Sequence, residues 1–277
     1  LHYPLRRQRQ MCIRDRLQTA VQQLNRRGDI NNKKPRSISA YNKAIQSLET
    51  QITSAKDNAN AVIQKPIRTV QEVNNALQQV NQLNQQLTEA ISQLQPLSNN
   101  DALKAARLEL ENKINQTVQT DGMTQQSVDA YQNAKREAQN ESNTALALIN
   151  NGDATEQQIT TETDRVNQQT TNLTQAINGL TVNKEPLETA KTALQNNIDQ
   201  VPSTDGMTQQ SVANYNQKLQ IAKNEINTIN NVLANNPDVN AIRTNKAEAE
   251  RISNDLTQAK NCLLYTSDAA DEEDSVD

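Results

Sequence analysis

The nine residues Thr120-Asp121-Gly122-Met123-Thr124-Gln125-Gln126-Ser127-Val128 return letter for letter as Thr204-Asp205-Gly206-Met207-Thr208-Gln209-Gln210-Ser211-Val212, 84 positions later. A chain that repeats itself at this period folds as stacked modules, each burying its own small core, and not around one large core. The register holds on both sides of the nonapeptide. Leu103, Ala106, Leu110 and Ile114 return as Leu187, Ala190, Leu194 and Ile198, and Tyr131 returns as Tyr215. A more diverged copy comes first. Ser37-Ile38-Ser39-Ala40-Tyr41 answers Ser127 to Tyr131 at an offset of 90, while Leu87-Thr88-Glu89-Ala90-Ile91 answers Leu173 to Ile177 at 86. The four extra residues fall between Tyr41 and Ile63 and amount to about one helical turn, so an apolar helix face survives them. Three modules are expected, over 17–97, 98–182 and 183–261.

Composition rules out a thick core: there is no Trp or Phe, and only 34% of residues are hydrophobic. Asn and Gln number 71 of the 277 residues, a bias that in an aperiodic sequence would suggest disorder. The apolar positions stay in register, which a disordered tract has no reason to maintain. Net charge is −4 with the signs interspersed, giving no basic stripe for nucleic acid, and no apolar run approaches the length of a membrane span. Both ends depart from the repeat. Residues 1–16 hold His2, Cys12 and five arginines, and residues 262–277 hold Cys262, Tyr265 and a closing acidic run. The strings Met11 to Arg16 and Cys262 to Glu272 resemble translated sequencing-adapter read-through, so both segments are expected to be non-native tails outside the fold. The alternative is a basic targeting segment and an acidic interaction tail. Between them, residues 17–261 carry 23 basic and 25 acidic residues with no Cys or His, which suits an exported protein that forms no disulfide.

Within each module the spacing predicts helices. Ile38, Tyr41, Ile45, Leu48, Ile52, Ala55, Ala59 and Val62 alternate steps of three and four, as do Val212, Tyr215, Leu219, Ala222, Ile226, Ile229 and Leu233. Val73, Leu77, Val80, Leu87, Ile91 and Leu94 form a further stripe. Its counterpart is Ile159, Val166, Leu173, Ile177 and Leu180, with Thr163 and Thr170 filling seam positions. Such spacing makes one narrow seam on a helix and no strand face, which would need alternation by two. The fold class is therefore all-α: tandem three-helix bundle modules strung into an elongated rod. An odd number of antiparallel helices brings the chain out at the end opposite to where it came in. With helices of about 25 residues, roughly 40 Å each, three modules would reach on the order of 100 Å.

The nonapeptide has a mechanical reading as structural caps. Gly122 and Gly206 can take the positive φ that closes a preceding turn, and Thr124 and Thr208 can cap the following helix. Met123 with Val128, and Met207 with Val212, then occupy the positions of a hydrophobic staple. Thr155 and Gln158 offer a capping box in the next turn, where the third module has Asn236-Pro237-Asp238.

Chemistry is sparse. Nucleophilic triads and zinc sites need His or Cys, so no catalytic, cofactor or metal residues are assigned and no enzyme is expected. Glu156, Glu162 and Asp164 read as solvated positions on one helix. Asp121 and Asp153 stand beside glycines without the alternating ligands of a calcium loop. Tyr41, Tyr131 and Tyr215 are the aromatics of the modules. They are candidate contact points for a partner, weighed against a packing role with the hydroxyl at the rim.

Thr-Asp-Gly-Met-Thr-Gln-Gln-Ser-Val followed by Tyr131, then Asn151-Gly152-Asp153-Ala154-Thr155, then Leu173-Thr174-Gln175-Ala176-Ile177-Asn178-Gly179-Leu180, resembles the FIVAR modules of giant staphylococcal extracellular matrix-binding proteins. The resemblance is close over 98–261 and weaker over 17–97. It implies part of a long, monomeric, all-helical rod at the bacterial cell surface, associated with the cell wall. The family is linked to fibronectin or other matrix binding and to envelope integrity. Two functions stand beside each other: a structural spacer whose repeats contact their neighbours in the same chain, and a multivalent adhesin that gains avidity by tandem display. If the cap reading holds, Thr124→Ala lowers stability by about 1 kcal/mol in urea melts without changing the fold class.

Overall fold

The computed structural model describes residues 2–265, with side chains from Met11 onward, and among these residues the chain forms nine α-helices and no strand. They are α1 (His2–Gln23), α2 (Pro35–Gln64), α3 (Val70–Ser92), α4 (Asp101–Ile114), α5 (Gln125–Asn150), α6 (Glu156–Asn178), α7 (Glu185–Asp199), α8 (Gln209–Ala234) and α9 (Val239–Asn261). The chain divides into two compact units. One comprises residues 1–113 and 138–170, the other 114–137 and 171–277.

In the first unit α1, α2 and α3 pack on one another around Leu17, Leu24, Ile52, Ala59, Val80 and Leu83. In the second, α7, α8 and α9 enclose Leu187, Leu194, Tyr215, Ala222, Ile229 and Leu256. Both cores are a line of side chains one residue wide on each helix, as the three-and-four spacing dictates. Of the α2 positions, Tyr41, Leu48, Ile52, Ala55, Ala59 and Val62 are buried, while Ile38 and Ile45 are half-buried. The α2 helix has 30 residues where α5 and α8 have 26, so the four-residue insertion is accommodated as a turn of helix. Thr163 and Thr170 on α6 can occupy the seam because each hydroxyl donates back to its own helix, to the carbonyls of Ile159 and Val166. That leaves the methyl for the core.

Helix starts carry their own chemistry. Thr69 accepts from the Glu72 amide and Glu72 accepts from the Thr69 amide, a reciprocal capping box. The Glu72 carboxylate also accepts from Lys65 at 2.5 Å, and these bonds, the lysine's first, hold its pKa down at about 2. Thr155 and Gln158 form the capping box anticipated at α6. Asp238 caps α9 by accepting from the Ala241 amide.

The segments set apart as tails carry structure where they are described. Helix α1 runs unbroken through Arg16, and Ile13 is half-buried against the core of the first unit. Past α9, Cys262 donates its amide to the Gln258 carbonyl and Leu263 is half-buried against the core of the second unit. Leu1 and residues 266–277 lie outside the described residues.

Each buried leucine contributes about 1.5–3 kcal/mol, and the alanines between them far less, so a core this thin depends on each large side chain. Leu194→Ala, at a fully buried position, is expected to cost about 2–5 kcal/mol. Chemical denaturation should show this loss first in α7–α9, since stability in a repeat array is local.

Candidate functional site

The recurrent site is the place where each repeat closes on itself. In the first unit the Lys34 amide donates to the Gln95 carbonyl at 2.8 Å, the Gln95 amide donates to Ser37 Oγ at 3.1 Å, and Ser37 Oγ donates to the Lys34 carbonyl at 2.8 Å. The same cycle recurs twice in the second unit. The Thr124 amide donates to Thr181 O, the Thr181 amide to Ser127 Oγ, and Ser127 Oγ to Thr124 O, at 2.7, 3.2 and 2.9 Å. The Thr208 amide donates to Leu264 O, the Leu264 amide to Ser211 Oγ, and Ser211 Oγ to Thr208 O, at 2.7, 3.3 and 2.9 Å. Isolated bridges Lys33–Pro96, Met123–Val182 and Met207–Tyr265 accompany these cycles. The residues after the third helix are thus clasped to the first turn of the second. Because the serine hydroxyl is the one side chain in each cycle and its partners are main-chain atoms, the diverged first copy forms the clasp without the Gly-Met-Thr letters. It needs a left-handed residue and a serine at fixed places.

Gly122 (φ +80°) and Gly206 (φ +73°) take the left-handed conformation proposed for them, and Asn32 takes it in the first copy at φ +55°. Asparagine tolerates that region better than most side chains. Thr208 accepts from the Ser211 amide, and Thr124 Oγ1 lies 2.9 Å from Ser127 Oγ and 2.8 Å from Thr181 Oγ1. Met123, Val128, Met207 and Val212 are all half-buried at the start of their helices. The serine was not singled out from the sequence. Its signal was there, since Ser37, Ser127 and Ser211 stand at one register in all three copies.

The three tyrosines are buried, with 5%, 7% and 2% of Tyr41, Tyr131 and Tyr215 exposed, so their rings fill the seam and offer little surface to a partner. Tyr41 accepts the Gly28 amide on its hydroxyl at 2.8 Å. Thirteen residues before Tyr215 the chain has Pro202 where Gly28 stands before Tyr41. Proline has no N–H to donate. The Tyr215 hydroxyl is accordingly buried without a partner, and burial pushes its pKa up.

Glu162 departs from the solvated reading. Glu156 and Asp164 are exposed, but Glu162 is 5% exposed. The cause is its register: Ile159, Glu162 and Val166 continue the three-and-four seam, at the positions that Val73, Ala76 and Val80 hold in α3. Burial and the neighbouring Glu141 both raise its pKa, in that order, against a smaller opposing effect of Arg165. Glu225 on α8, at the register of Glu141, is likewise raised by burial and then by Glu248.

The repeat ends also meet one another inside each unit. In the first, Pro35 lies so near Gly152 that a Cβ there would stand 2.9 Å from two ring carbons. Beside it the Arg36 amide donates to Asp153 Oδ1 at 2.9 Å. Gly152 is therefore needed for close approach. In the second unit a Cβ on Gly122 would collide with the methyls of Val239, and Arg243 pairs with Asp121 at 2.5 Å. At Gly206 a Cβ would meet only Tyr265, at an ordinary 3.7 Å. Gly122→Ala and Gly206→Ala share the backbone strain, about 1 kcal/mol or more. Gly122→Ala alone carries the collision, so urea melts should show it the more destabilising of the two. Equal losses would mean that Val239 yields freely.

Among the described residues no group of three or more His, Cys, Asp or Glu side chains is placed to hold a metal, and no helix is long and apolar enough to cross a membrane.

Comparison with known proteins gives this geometry a family. The FIVAR domain matches residues 15–88, 106–181 and 190–261. The extracellular matrix-binding protein EbhB of Staphylococcus aureus strain Newman is 54% identical over 247 residues, covering 89% of this chain and 4% of that protein. The extracellular matrix-binding protein ebh of strain NCTC 8325 is also 54% identical over 89% of this chain, which spans 3% of its length. A solved structure, described as a characterization of extracellular matrix binding protein (Embp)-mediated Staphylococcus epidermidis adherence to fibronectin, aligns at 31% identity. It covers 59% of this chain and 97% of that one, with a TM-score of 0.34. Three successive matches, which together cover most of its length, make this chain a member of the FIVAR-domain family.

Proposed function

We propose that these repeats are non-enzymatic spacer modules of a bacterial cell-surface protein, laid end to end over 17–97, 98–182 and 183–261. The observation that carries this reading is the use made of the repeat ends. Gly152 against Pro35, and Gly122 against Val239, commit the turns to contacts between successive copies. Turns in a binding scaffold are ordinarily the free, variable surface. A spacer needs repetition, solubility and defined ends, and the polar outer faces with interspersed charge supply the second. Clasps and caps fix the ends.

The second reading is a multivalent adhesin. It is favoured by the name of the relatives, extracellular matrix-binding proteins, and would place weak sites on every module, with avidity gained through tandem display. Surface localisation and attachment to the cell wall belong to the same proposal. Small-angle scattering of 17–261 is expected to give a maximum dimension on the order of 100 Å. A profile of a compact globule of equal mass would defeat the spacer. Titration of the same segment onto immobilised fibronectin separates the two functions: an extended chain without measurable binding favours the spacer, and binding that strengthens from one module to three favours the adhesin.

A further inference from the structure

Polar side chains buried in a thin helical seam are expected to find partners, because a buried polar group left unpaired loses its hydration without compensation. Two carboxyl oxygens in the second repeat do not. Glu162 on α6 is 5% exposed, and its Oε1, like the Oε1 of Glu141 on α5, is shielded from solvent without any donor in reach. After burial itself, Glu141 is the neighbour that most raises the pKa of Glu162. Two carboxylates can only accept, so nothing joins them unless one carries a proton.

The surrounding charges do not replace that proton. Arg165, on the same helix as Glu162, reaches its Oε2 at 3.8 Å but is 65% exposed, leaving the buried Oε1 unserved. On α4, Arg107 is committed to Glu111 at 2.5 Å and to the Ser142 carbonyl at 3.0 Å. Glu111 in turn accepts from Ser142 Oγ at 3.4 Å. The arginine that faces α5 is thus already paired. The first repeat shows what the α6 position requires for packing alone, since buried Ala76 holds the register of Glu162 there.

We propose that Glu141 and Glu162 form a buried proton-binding site, in which one solvent-derived proton bridges the two carboxyl groups and its loss loosens the contact between α5 and α6. The second repeat then responds to pH where the first, with Ala76 in place of Glu162, does not. The direction is fixed by linkage. The pKa of Glu162 is raised in the fold from an ordinary 4.5. Its stabilising share is therefore complete below pH 4.5 and is lost as pH rises from there through the higher folded value.

The test uses the full chain. Hydrogen exchange, corrected for the intrinsic pH dependence of amide exchange, is followed from pH 4 to 7.5 in the wild type, in Glu162→Gln and in the exposed control Glu137→Gln. The wild type and the control should lose protection severalfold in α5 and α6 as pH rises, with α2 and α3 unaffected. Glu162→Gln, which keeps a donor facing Glu141 at every pH, should hold its protection. Parallel profiles in wild type and Glu162→Gln overturn the proposal. Carbon-13 titration of the Glu162 carboxyl in the wild type is independent of any variant's folding: a midpoint above 4.5 supports the site, and one at or below it sinks it.

Discussion

Everything in this molecule follows from the narrowness of its apolar seam. With 34% hydrophobic residues and a surplus of amides, each helix has one line of side chains to bury, and three such lines facing one another make the smallest core that closes. Leu17, Leu24, Ile52 and Val80 in one unit, and Leu187, Leu194, Ile229 and Leu256 in the other, are almost wholly withdrawn from water, while the residues on either side of each line remain wet. A core of this size has no reserve, so the ends of the helices must contribute what a thicker core would supply.

The clasp is that contribution. Serine at 37, 127 and 211 accepts one amide and donates to one carbonyl, joining the segment after the third helix to the start of the second. It pairs polar backbone groups that would otherwise compete for water at a helix end. Since the partners are main-chain atoms, side chains on the returning strand are free to vary: Pro96, Val182 and Tyr265 all take the bridging position. Tyr265 belongs to a segment that reads as foreign to the repeat, yet it completes the pattern because the pairing asks for backbone alone.

The same thin seam explains how polar residues enter it and at what cost. Thr163 and Thr170 are accommodated by bonding to their own helix. Tyr41 is accommodated by an amide, and Tyr215 loses that amide to Pro202. Glu162 is accommodated by neither route. These side chains differ in whether a donor happens to stand opposite, which depends on a second segment of chain and not on their own helix.

The sequence by itself determined the all-α class, the spacing of the seams, the glycine turns and the repeat, because each is a local or periodic property written along one strand of chain. Four residues inserted in α2 could be read as a turn of helix for the same reason. It also held signals that were passed over, in the common register of Ser37, Ser127 and Ser211 and in the seam position of Glu162. What only the tertiary structure decided were the pairings across the fold. The serine clasp, the orphaned hydroxyl of Tyr215, the shielded carboxyl oxygens of Glu141 and Glu162, and the demand for glycine at 152 all arise where separate segments converge. Periodicity tells which face of a helix turns inward, but hydrogen-bond satisfaction and close approach depend on which atoms stand opposite, and that is set by packing.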